Sequence, residues 1–273
     1  MTRPRTAGKA FRLQWRESRW SALGTTATLT LWVGLMVGLW PAVRDSVASI
    51  RQLWERYPEA LKTAFGVSGV DPTTYAGFIA SELLGVVWPL FAIGLAVGVS
   101  AGISAGELER GTLELLLAAP VDRGRLLLGR AVALGTMLFV LTATSWVAIG
   151  LGAPLVGERL DAARALWAAL EGLALAGFSL GVGLAFTVAC SRRSQALLYA
   201  SGVMLLLYMV NIIGSLWGRA RALIHLTPFH AYAPGPALAG DATPVLSVVV
   251  PAAVGVVLVG FSWWWFRRMD ISA

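Results

Sequence analysis

Six long apolar stretches divide the chain, and each is long enough to cross a lipid bilayer as an α-helix. A membrane-spanning helix needs roughly 20 mostly apolar residues, because it must cross a hydrocarbon layer about 30 Å thick. The pattern therefore predicts an all-α integral membrane protein in which residues 1–273 form a single transmembrane domain. The six predicted spans lie at about 20–43, 78–104, 126–151, 166–190, 196–217 and 245–266.

Two of the polar segments carry a helical pattern of their own. The basic tail at 9–20 places aromatic residues on one side and arginines on the other, which is typical of a helix in the membrane interface. An ordinary basic anchor explains the tail equally well. In the loop after span 1, apolar residues recur at steps of three and four, which predicts an amphipathic helix that Pro58 kinks or ends. These residues are Val47, Ile50, Trp54, Tyr57 and Leu61.

The segment between spans 5 and 6, residues 218–244, resembles neither a span nor a free loop. It contains four prolines, which interrupt a helix, yet it is too apolar to lie in water. We expect a re-entrant segment or a surface hairpin that packs against the protein, since irregular backbone at membrane depth must be covered by protein.

Glycines form a regular stripe on span 2. Gly94, Gly98, Gly102 and Gly106 follow one another at intervals of four residues, and a weaker repeat occurs in span 4. Small residues at this spacing allow helix backbones to approach closely in membranes. The stripe therefore predicts close packing of span 2 against another helix.

The composition excludes a soluble protein. Hydrophobic residues make up 57% of the chain and charged residues 14%, whereas roughly 25% of a typical soluble domain is charged. The mean hydropathy is +0.70. The net charge of +7 would suggest a nucleic-acid partner in a soluble chain, but in a membrane chain basic residues report orientation. We expect membrane lipid and no nucleic acid around this protein.

The distribution of charge predicts the orientation of the chain in the membrane. If the N-terminus is cytoplasmic, the inner segments carry 14 of the 22 basic residues and the outer segments carry 8. With the acidic residues included, the inner segments sum to about +8 and the outer segments to about −1, in line with the excess of Arg and Lys in cytoplasmic loops. Both termini are therefore predicted to be cytoplasmic.

The segment between spans 2 and 3 has a charged face and an apolar face. On a helix over about 106–119, Glu107, Arg110 and Glu114 share one face, whereas leucines cover most of the remainder. Residues three and four apart can form ion pairs on a helix. Pro120 ends the pattern. Such a helix at the cytoplasmic boundary is suited to contact another protein, and the alternative is a helix that simply lies on the membrane.

The same segment resembles the hallmark of a known family. Residues 106–123 read Gly-Glu-x-Glu-Arg-Gly-Thr-Leu-Glu-Leu-Leu-Leu-Ala-x-Pro-Val-x-Arg. This pattern is similar to the hallmark segment of type-2 ATP-binding-cassette (ABC) exporter permeases, except at Leu108, where relatives often carry a third acid. Three weaker resemblances, at 57–66, 191–196 and 266–271, occur in the order expected for that family.

The resemblance implies how the protein would be driven. In this family an amphipathic coupling helix between spans 2 and 3 seats in a groove of a separate nucleotide-binding ATPase subunit. Two ATPase copies close on ATP and rock the spans of two permeases, which are identical or homologous. The re-entrant outer segment, about 223–238, would line the exit. By carry-over the ATPase contacts are Glu107, Glu109, Arg110, Gly111, Thr112 and Glu114, with Arg192 and Arg193 as a second, smaller contact.

The chain itself lacks an ATP-binding motor. A phosphate loop requires Gly-x-x-x-x-Gly-Lys followed by Ser or Thr, and neither Lys9 nor Lys62 completes one. We therefore expect a permease subunit that is not an enzyme and has no catalytic residues. It would bind no cofactor, while ATP and Mg would bind to the partner ATPase. Charge reversal at Glu107 or Glu114 is expected to uncouple that ATPase and leave folding intact.

Few polar groups remain inside the spans. Glu82, Glu171 and Asn211 are candidates for a substrate path, because acidic and polar groups at membrane depth are often functional. His225 and His230 lie in a proline-rich loop without a supporting acid, so no metal site is expected. The apolar spans favour a hydrophobic or amphiphilic substrate.

The resemblance and the six spans place the chain in the bacterial cytoplasmic (inner) membrane as a multi-pass protein. The alternatives are a gradient-driven secondary carrier or an intramembrane enzyme. A carrier should show internal repeats or deep charged pairs, and the sequence shows neither.

Overall fold

The computed structural model describes residues 6–46, 52, 55–56, 58–64, 70–71, 73–109, 122–241 and 244–268. These residues are helical apart from short turns, and none of them forms a strand. A π-helical turn at Ala80–Leu84 and a 3₁₀ segment at Gly218–Leu226 supplement the α-helices. In chain order the α-helices are α1 (Thr6–Asp45), α2 (Glu59–Ala64), α3 (Tyr75–Ile79), α4 (Val87–Ile103), α5 (Ala105–Glu109), α6 (Arg123–Leu155), α7 (Ala162–Ala189), α8 (Arg193–Leu216), α9 (Pro228–Ala231), α10 (Pro234–Ala239) and α11 (Leu246–Arg268).

Among the described residues, six helical stretches are long and apolar enough to cross a membrane, in agreement with the predicted number. Spans 1, 3, 4, 5 and 6 correspond to α1, α6, α7, α8 and α11, and span 2 is the composite Tyr75–Ile103. We call the end of the bundle that carries α5 the predicted inner end. The opposite end, which carries α9 and α10, is the predicted outer end.

The basic tail and span 1 form one continuous helix. α1 contains 40 residues, which corresponds to about 60 Å at 1.5 Å per residue. The basic tail is therefore not a separate helix, because it forms the first turns of α1, which pack on α6. The amphipathic pattern of the loop after span 1 lies mostly outside the described residues, although α2 begins directly after Pro58 and contacts α8.

Aspartate caps decide where two of the spans begin. The side chain of Asp122 accepts a hydrogen bond from the backbone N–H of Arg125 at 2.9 Å, and Asp161 accepts one from Arg164 at 3.0 Å. The hydrogen bond from Arg164 also lowers the pKa of the Asp161 carboxyl. Because these caps satisfy N–H groups that a helix start leaves free, α6 and α7 begin three to four residues before the apolar pattern does.

Span 2 is interrupted near its predicted outer end. The π-helical turn is followed by Gly85 and Val86, and the backbone of Val86 has φ −132° and ψ −52°, outside the helical range. Pro89 then occupies the first turn of α4, where the absence of its N–H costs nothing. The interruption redirects the chain and places Trp88, which is fully buried, against α7.

The bundle has a buried centre and three more exposed helices. In the most apolar stretches of spans 2, 3 and 4, 56–61% of the residues are buried, against 17–22% in spans 1, 5 and 6. α1 packs mainly on α6, and α11 packs on α7. The outward faces of α1, α8 and α11 consist largely of exposed aliphatic side chains, which is expected of helices that face lipid or a second protein chain.

Glycine allows a close contact between two helices at a different place from the one predicted. A Cβ on Gly255 of α11 would lie 2.8 Å from the carbonyl oxygen of Gly177 in α7, and one on Gly181 would lie 2.7 Å from the oxygen of Gly255. By contrast, a Cβ on Gly94 or Gly98 would meet no atom of the described chain within 4 Å. The prediction of tight packing along the span 2 stripe is therefore wrong at these two positions within one chain.

The segment after span 5 turns back onto the bundle, as its prolines and apolar residues predict. Its Tyr232 hydroxyl donates a hydrogen bond to the carbonyl oxygen of Leu84 at 2.9 Å. The Tyr232 ring also stacks on Trp88 with a centroid distance of 5.9 Å. These contacts tie the segment to the interrupted part of span 2 and make it part of the packed structure.

Candidate functional site

A buried ion pair lies at the predicted inner end, where the charged segment begins. Arg130 Nη2 of α6 lies 2.5 Å from Glu107 Oε1 of α5, and the two side chains are only 2% and 4% exposed. Arg130 Nη1 donates a second hydrogen bond, of 2.6 Å, to the carbonyl oxygen of Ile103. Arg130 therefore binds both the end of α4 and the start of the charged segment.

Because this pair is buried, loss of one partner should destabilise the fold more than loss of one partner of an exposed pair. Removing one partner of a buried pair leaves an uncompensated charge in a medium of low dielectric, which typically costs about 3–5 kcal/mol. In contrast to the expectation from the sequence, charge reversal at Glu107 should therefore impair folding. Glu107 was predicted as an ATPase contact, but its carboxylate faces the interior of the bundle.

Arg130 was missed as a candidate by reasoning from the sequence. Its signal was present, because it lies inside the predicted span at 126–151, and a charged residue within a span is rare and usually functional. The sequence could not identify its partner, since Glu107 is 23 positions away and belongs to a different helix.

A second contact joins the two predicted inner loops. Glu109 Oε2 accepts a hydrogen bond of 3.0 Å from the backbone N–H of Arg193, the first residue of α8. Arg192, at the N-cap position, provides no side-chain cap to this helix. Glu109 therefore caps α8 from another segment, and its negative charge suits the positive end of the helix dipole.

The start of the charged segment is also held by α7. The Thr187 hydroxyl accepts hydrogen bonds from the backbone N–H groups of Ser104 and Ala105, both at 3.2 Å. The Arg193 side chain lies over Gly102 and Gly106, and its Nη2 is 3.5 Å from the Gly98 oxygen. The short helix α5 is thereby attached to α6, α7 and α8.

The cap at Glu109 gives a first testable prediction. Replacement of Glu109 by Ala removes the acceptor for the Arg193 N–H and should destabilise the protein by about 1 kcal/mol, the typical cost of losing a helix cap. Glu109→Gln keeps an acceptor oxygen and should lose less. Thermal unfolding of the purified protein compares the two variants, and equal melting temperatures for Glu109→Ala and the wild type would contradict the cap.

The structure describes only some of the other residues that were predicted to contact the ATPase. Arg110, Gly111, Thr112 and Glu114 lie outside the described residues, as does most of the predicted helix at 106–119. Arg192 is exposed at the start of α8. The ATPase contacts therefore stay predictions. Two of the predicted contact residues, Glu109 and Arg193, are hydrogen-bonded to each other.

The three candidates for a substrate path differ in their burial and in their contacts. Glu82 is exposed in the π-helical turn, whereas Glu171 and Asn211 are each 1% exposed. Asn211 Oδ1 accepts a hydrogen bond from the Thr227 hydroxyl at 3.4 Å, which supports a role in joining span 5 to the segment after it. Glu171 contacts the same segment further along, at Ala233.

Two cavities flank the glycine stripe of span 2. One of about 310 Å³ separates α4 from α8 and is lined almost entirely by apolar residues, including Met204 and Phe229. The other, of about 400 Å³, separates α4 from α1 and reaches Arg193. Gly94 and Gly98 line both. Gly94 and Gly98, where an added Cβ would meet no atom of the described residues, thus form the wall between two grooves.

The histidines at 225 and 230 pack against each other. Their rings meet edge to face with centroids 4.9 Å apart. Among the described residues, no three His, Cys, Asp or Glu side chains lie close enough to share a metal ion. The geometry of the pair therefore gives no support for a metal site in this part of the chain.

Comparison with known proteins identifies one family. A family model described as "ABC-2 family transporter protein" matches residues 46–271. The match covers five of the six spans and the segment at 106–123, and it begins directly after α1. No curated protein matches the chain significantly.

Proposed function

The chain belongs to the ABC-2 family of transporter proteins, and from this premise we propose that it is an exporter permease driven by a separate ATPase subunit. As an ABC-2 permease it is the membrane component of a transporter. The absence of a phosphate loop from the sequence supports hydrolysis on another polypeptide. The charge bias supports an orientation with both termini on the cytoplasmic side of a bacterial inner membrane.

The attachment of α5 carries the proposal for coupling. Residues 105–109 are bound to three long helices through Thr187, Arg130 and the Glu109–Arg193 contact. A force applied to the segment that follows Glu109 would therefore be passed to α6, α7 and α8 together. We assign this role to the coupling segment at 106–119, with Glu114 and Arg110 as its ATPase contacts and Glu107 as an internal anchor.

The shape of the single chain supports a transporter built from two permeases. The groove between α4 and α8 is lined almost entirely by apolar residues, whereas the groove between α4 and α1 also contains Ser21, Thr25 and Arg193. α1 and α8 also expose wide aliphatic faces. A second copy or a homologous permease would cover such faces. The apolar lining also favours a hydrophobic or amphiphilic substrate, since a pocket binds best what matches its surface.

Recovery of the ATPase tests the proposed coupling. We expect the tagged chain, purified from its native membrane, to retain an ATPase subunit, and Glu114→Arg to reduce the retained ATPase about tenfold through like-charge and steric conflict at the contact. Glu17→Arg, an exposed acid of α1 at the same predicted end, is the matched control and should retain it.

Three outcomes of this experiment would count against the proposal. Equal ATPase recovery with Glu114→Arg and the wild type would refute the contact. A chain that retains no ATPase, and whose transport collapses when the membrane ion gradient is removed, would favour the gradient-driven carrier instead. Loss of the ATPase with Glu17→Arg as well would show a general charge effect.

A further inference from the structure

A third cavity lies at the predicted outer end and shares no lining residue with the two grooves of span 2. It has a volume of about 560 Å³ and lies between α7, α11 and the segment after span 5. Phe178, Val250 and Val254 form its apolar walls, while two acids, Glu171 and Asp241, and two histidines, His225 and His230, supply polar groups. Cavities of roughly 300–1,000 Å³ with apolar walls and a few polar groups are typical of small-molecule sites.

The carboxylate of Glu171 is buried in this cavity without a cationic partner. It is 1% exposed, and its oxygens accept hydrogen bonds from the Ser247 hydroxyl at 2.9 Å and the backbone N–H of Ala233 at 3.2 Å. Both donors are neutral. No Lys, Arg or His of the described chain forms an ion pair with Glu171, so no protein cation would compensate its charge when the carboxyl is ionised.

The chemistry of the cavity favours an ammonium group over a metal ion. A divalent metal needs several ligands, and no three His, Cys, Asp or Glu side chains among the described residues are close enough to share one. One carboxylate is sufficient for an ammonium group, which forms a charge-assisted hydrogen bond with it.

The walls of the cavity indicate how such a ligand would be oriented. Phe178 follows Glu171 by two helical turns on the same face of α7, which places it about 10 Å closer to the predicted inner end. Val254 of α11 lies near the level of Phe178, since a Cβ on the adjacent Gly255 would be 3.0 Å from the Phe178 nitrogen. Val254 is 40% exposed, whereas Val256 and Val257 are about 70% exposed. An apolar tail would lie along Phe178 and Val254, with its cationic head at Glu171.

We propose that this cavity binds amphiphilic amines, with the ammonium group on Glu171 and the apolar body between α7 and α11. A phospholipid does not fit this orientation, because its phosphate lies between the acyl chains and the head-group amine and would face the Glu171 carboxylate. Binding requires no ATP, whereas the identity of such amines as the exported cargo rests on the proposed function.

Photoaffinity labelling of the full chain tests this site without the ATPase. The probe is a long-chain primary alkylamine with a diazirine at the end of its tail, added to the protein in phosphatidylcholine nanodiscs. We expect label on peptides that contain Phe178 or Val254. Glu171→Gln should reduce the labelling about tenfold, as expected for the loss of one charge-assisted contact, and Glu55→Gln, an exposed acid outside the cavity, should not.

Two further comparisons separate the site from general binding to apolar surface. An alcohol of equal chain length should label the wild type only as weakly as the amine labels Glu171→Gln. Val254→Trp should block the cavity and abolish labelling, while Val257→Trp on the exposed side of the same helix should not. Each variant is first compared with the wild type by thermal unfolding, and Val254→Trp supplies the test if Glu171→Gln does not fold.

The proposal is overturned if Glu171→Gln labels like the wild type, if the alcohol labels as well as the amine, or if the label falls in the groove at Gly94 and Met204. Because the measurement contains no ATPase and no ATP, these outcomes leave the permease assignment untouched. Conversely, loss of ATPase binding by Glu114→Arg has no bearing on labelling.

Discussion

Arg130→Glu is expected to prevent stable folding of the protein, and the double exchange Glu107→Arg with Arg130→Glu should restore part of what is lost. In the single variant two carboxylates would face each other in the interior, where the pair is almost completely buried. The loss of a buried partner typically costs about 3–5 kcal/mol, which is a large fraction of the roughly 5–15 kcal/mol by which proteins are stable.

The double exchange distinguishes an ion pair from a general requirement for arginine. With the charges exchanged, residues 107 and 130 would attract each other again, and we expect at least about half of the loss to be recovered, as positive coupling in a double-mutant cycle. Recovery should be incomplete, because an arginine introduced at position 107 could not reproduce the bond from Arg130 to the Ile103 oxygen. Melting temperatures of all four proteins in one detergent provide the cycle.

The matched control for this cycle is Arg125→Glu. Arg125 belongs to the same helix as Arg130, but its side chain is exposed, so its reversal should change stability by less than about 0.5 kcal/mol, as is usual for surface positions. A normal melting temperature for Arg130→Glu would refute the structural role of the pair. A double variant no more stable than the worse single variant would show that the two residues act separately.

Gly255→Leu is expected to separate α7 from α11. A Cβ at Gly255 would lie 2.8 Å from the Gly177 oxygen and 3.0 Å from the Phe178 nitrogen. These neighbours are backbone atoms, which cannot rotate away as a side chain does, so the helices themselves must move. Overpacking typically costs about 1–3 kcal/mol, and we expect the upper end of this range.

Gly260→Leu supplies the control on the same helix. A Cβ at Gly260 would meet no atom of the described chain within 4 Å, so the same substitution adds no overlap there and should leave the melting temperature close to that of the wild type. Fluorescence-detected size-exclusion chromatography after heating compares the two variants. If Gly255→Leu withstands heating as well as Gly260→Leu, the close approach of α7 and α11 is not required for stability.

The number of spans could be predicted because hydrophobicity is a local property of the chain. Each span is recognised from its own apolar residues, so the order of the residues was sufficient to predict six spans. The starts of α6 and α7 were predicted a few residues late, because the caps Asp122 and Asp161 are polar and lie outside the apolar pattern. The continuity of the basic tail with span 1 was not predicted, although no proline between Thr6 and Pro41 interrupts the helix.

The glycine stripe shows where a local pattern loses its predictive value. A repeat of small residues indicates that another helix can approach closely, but it does not indicate which helix. In the folded chain the strong repeat at Gly94 and Gly98 faces open grooves, whereas the weaker pair at Gly177 and Gly181 packs on Gly255. The choice depended on which helices become neighbours, and that is a property of the whole bundle.

The family, the all-helical membrane architecture and the charged segment between spans 2 and 3 were all present in the order of the residues, because periodicity, hydropathy and motif spacing are short-range signals. The roles of single charged residues could not be predicted from the order of the residues. Glu107 shares a helical face with Arg110 in the sequence pattern, yet it is buried because Arg130 lies opposite. The importance of Glu171 depends on the cavity that it lines, which is formed by α7, α11 and the segment after span 5. Burial and partners arise from contacts between distant parts of the chain, so only the folded arrangement reveals them.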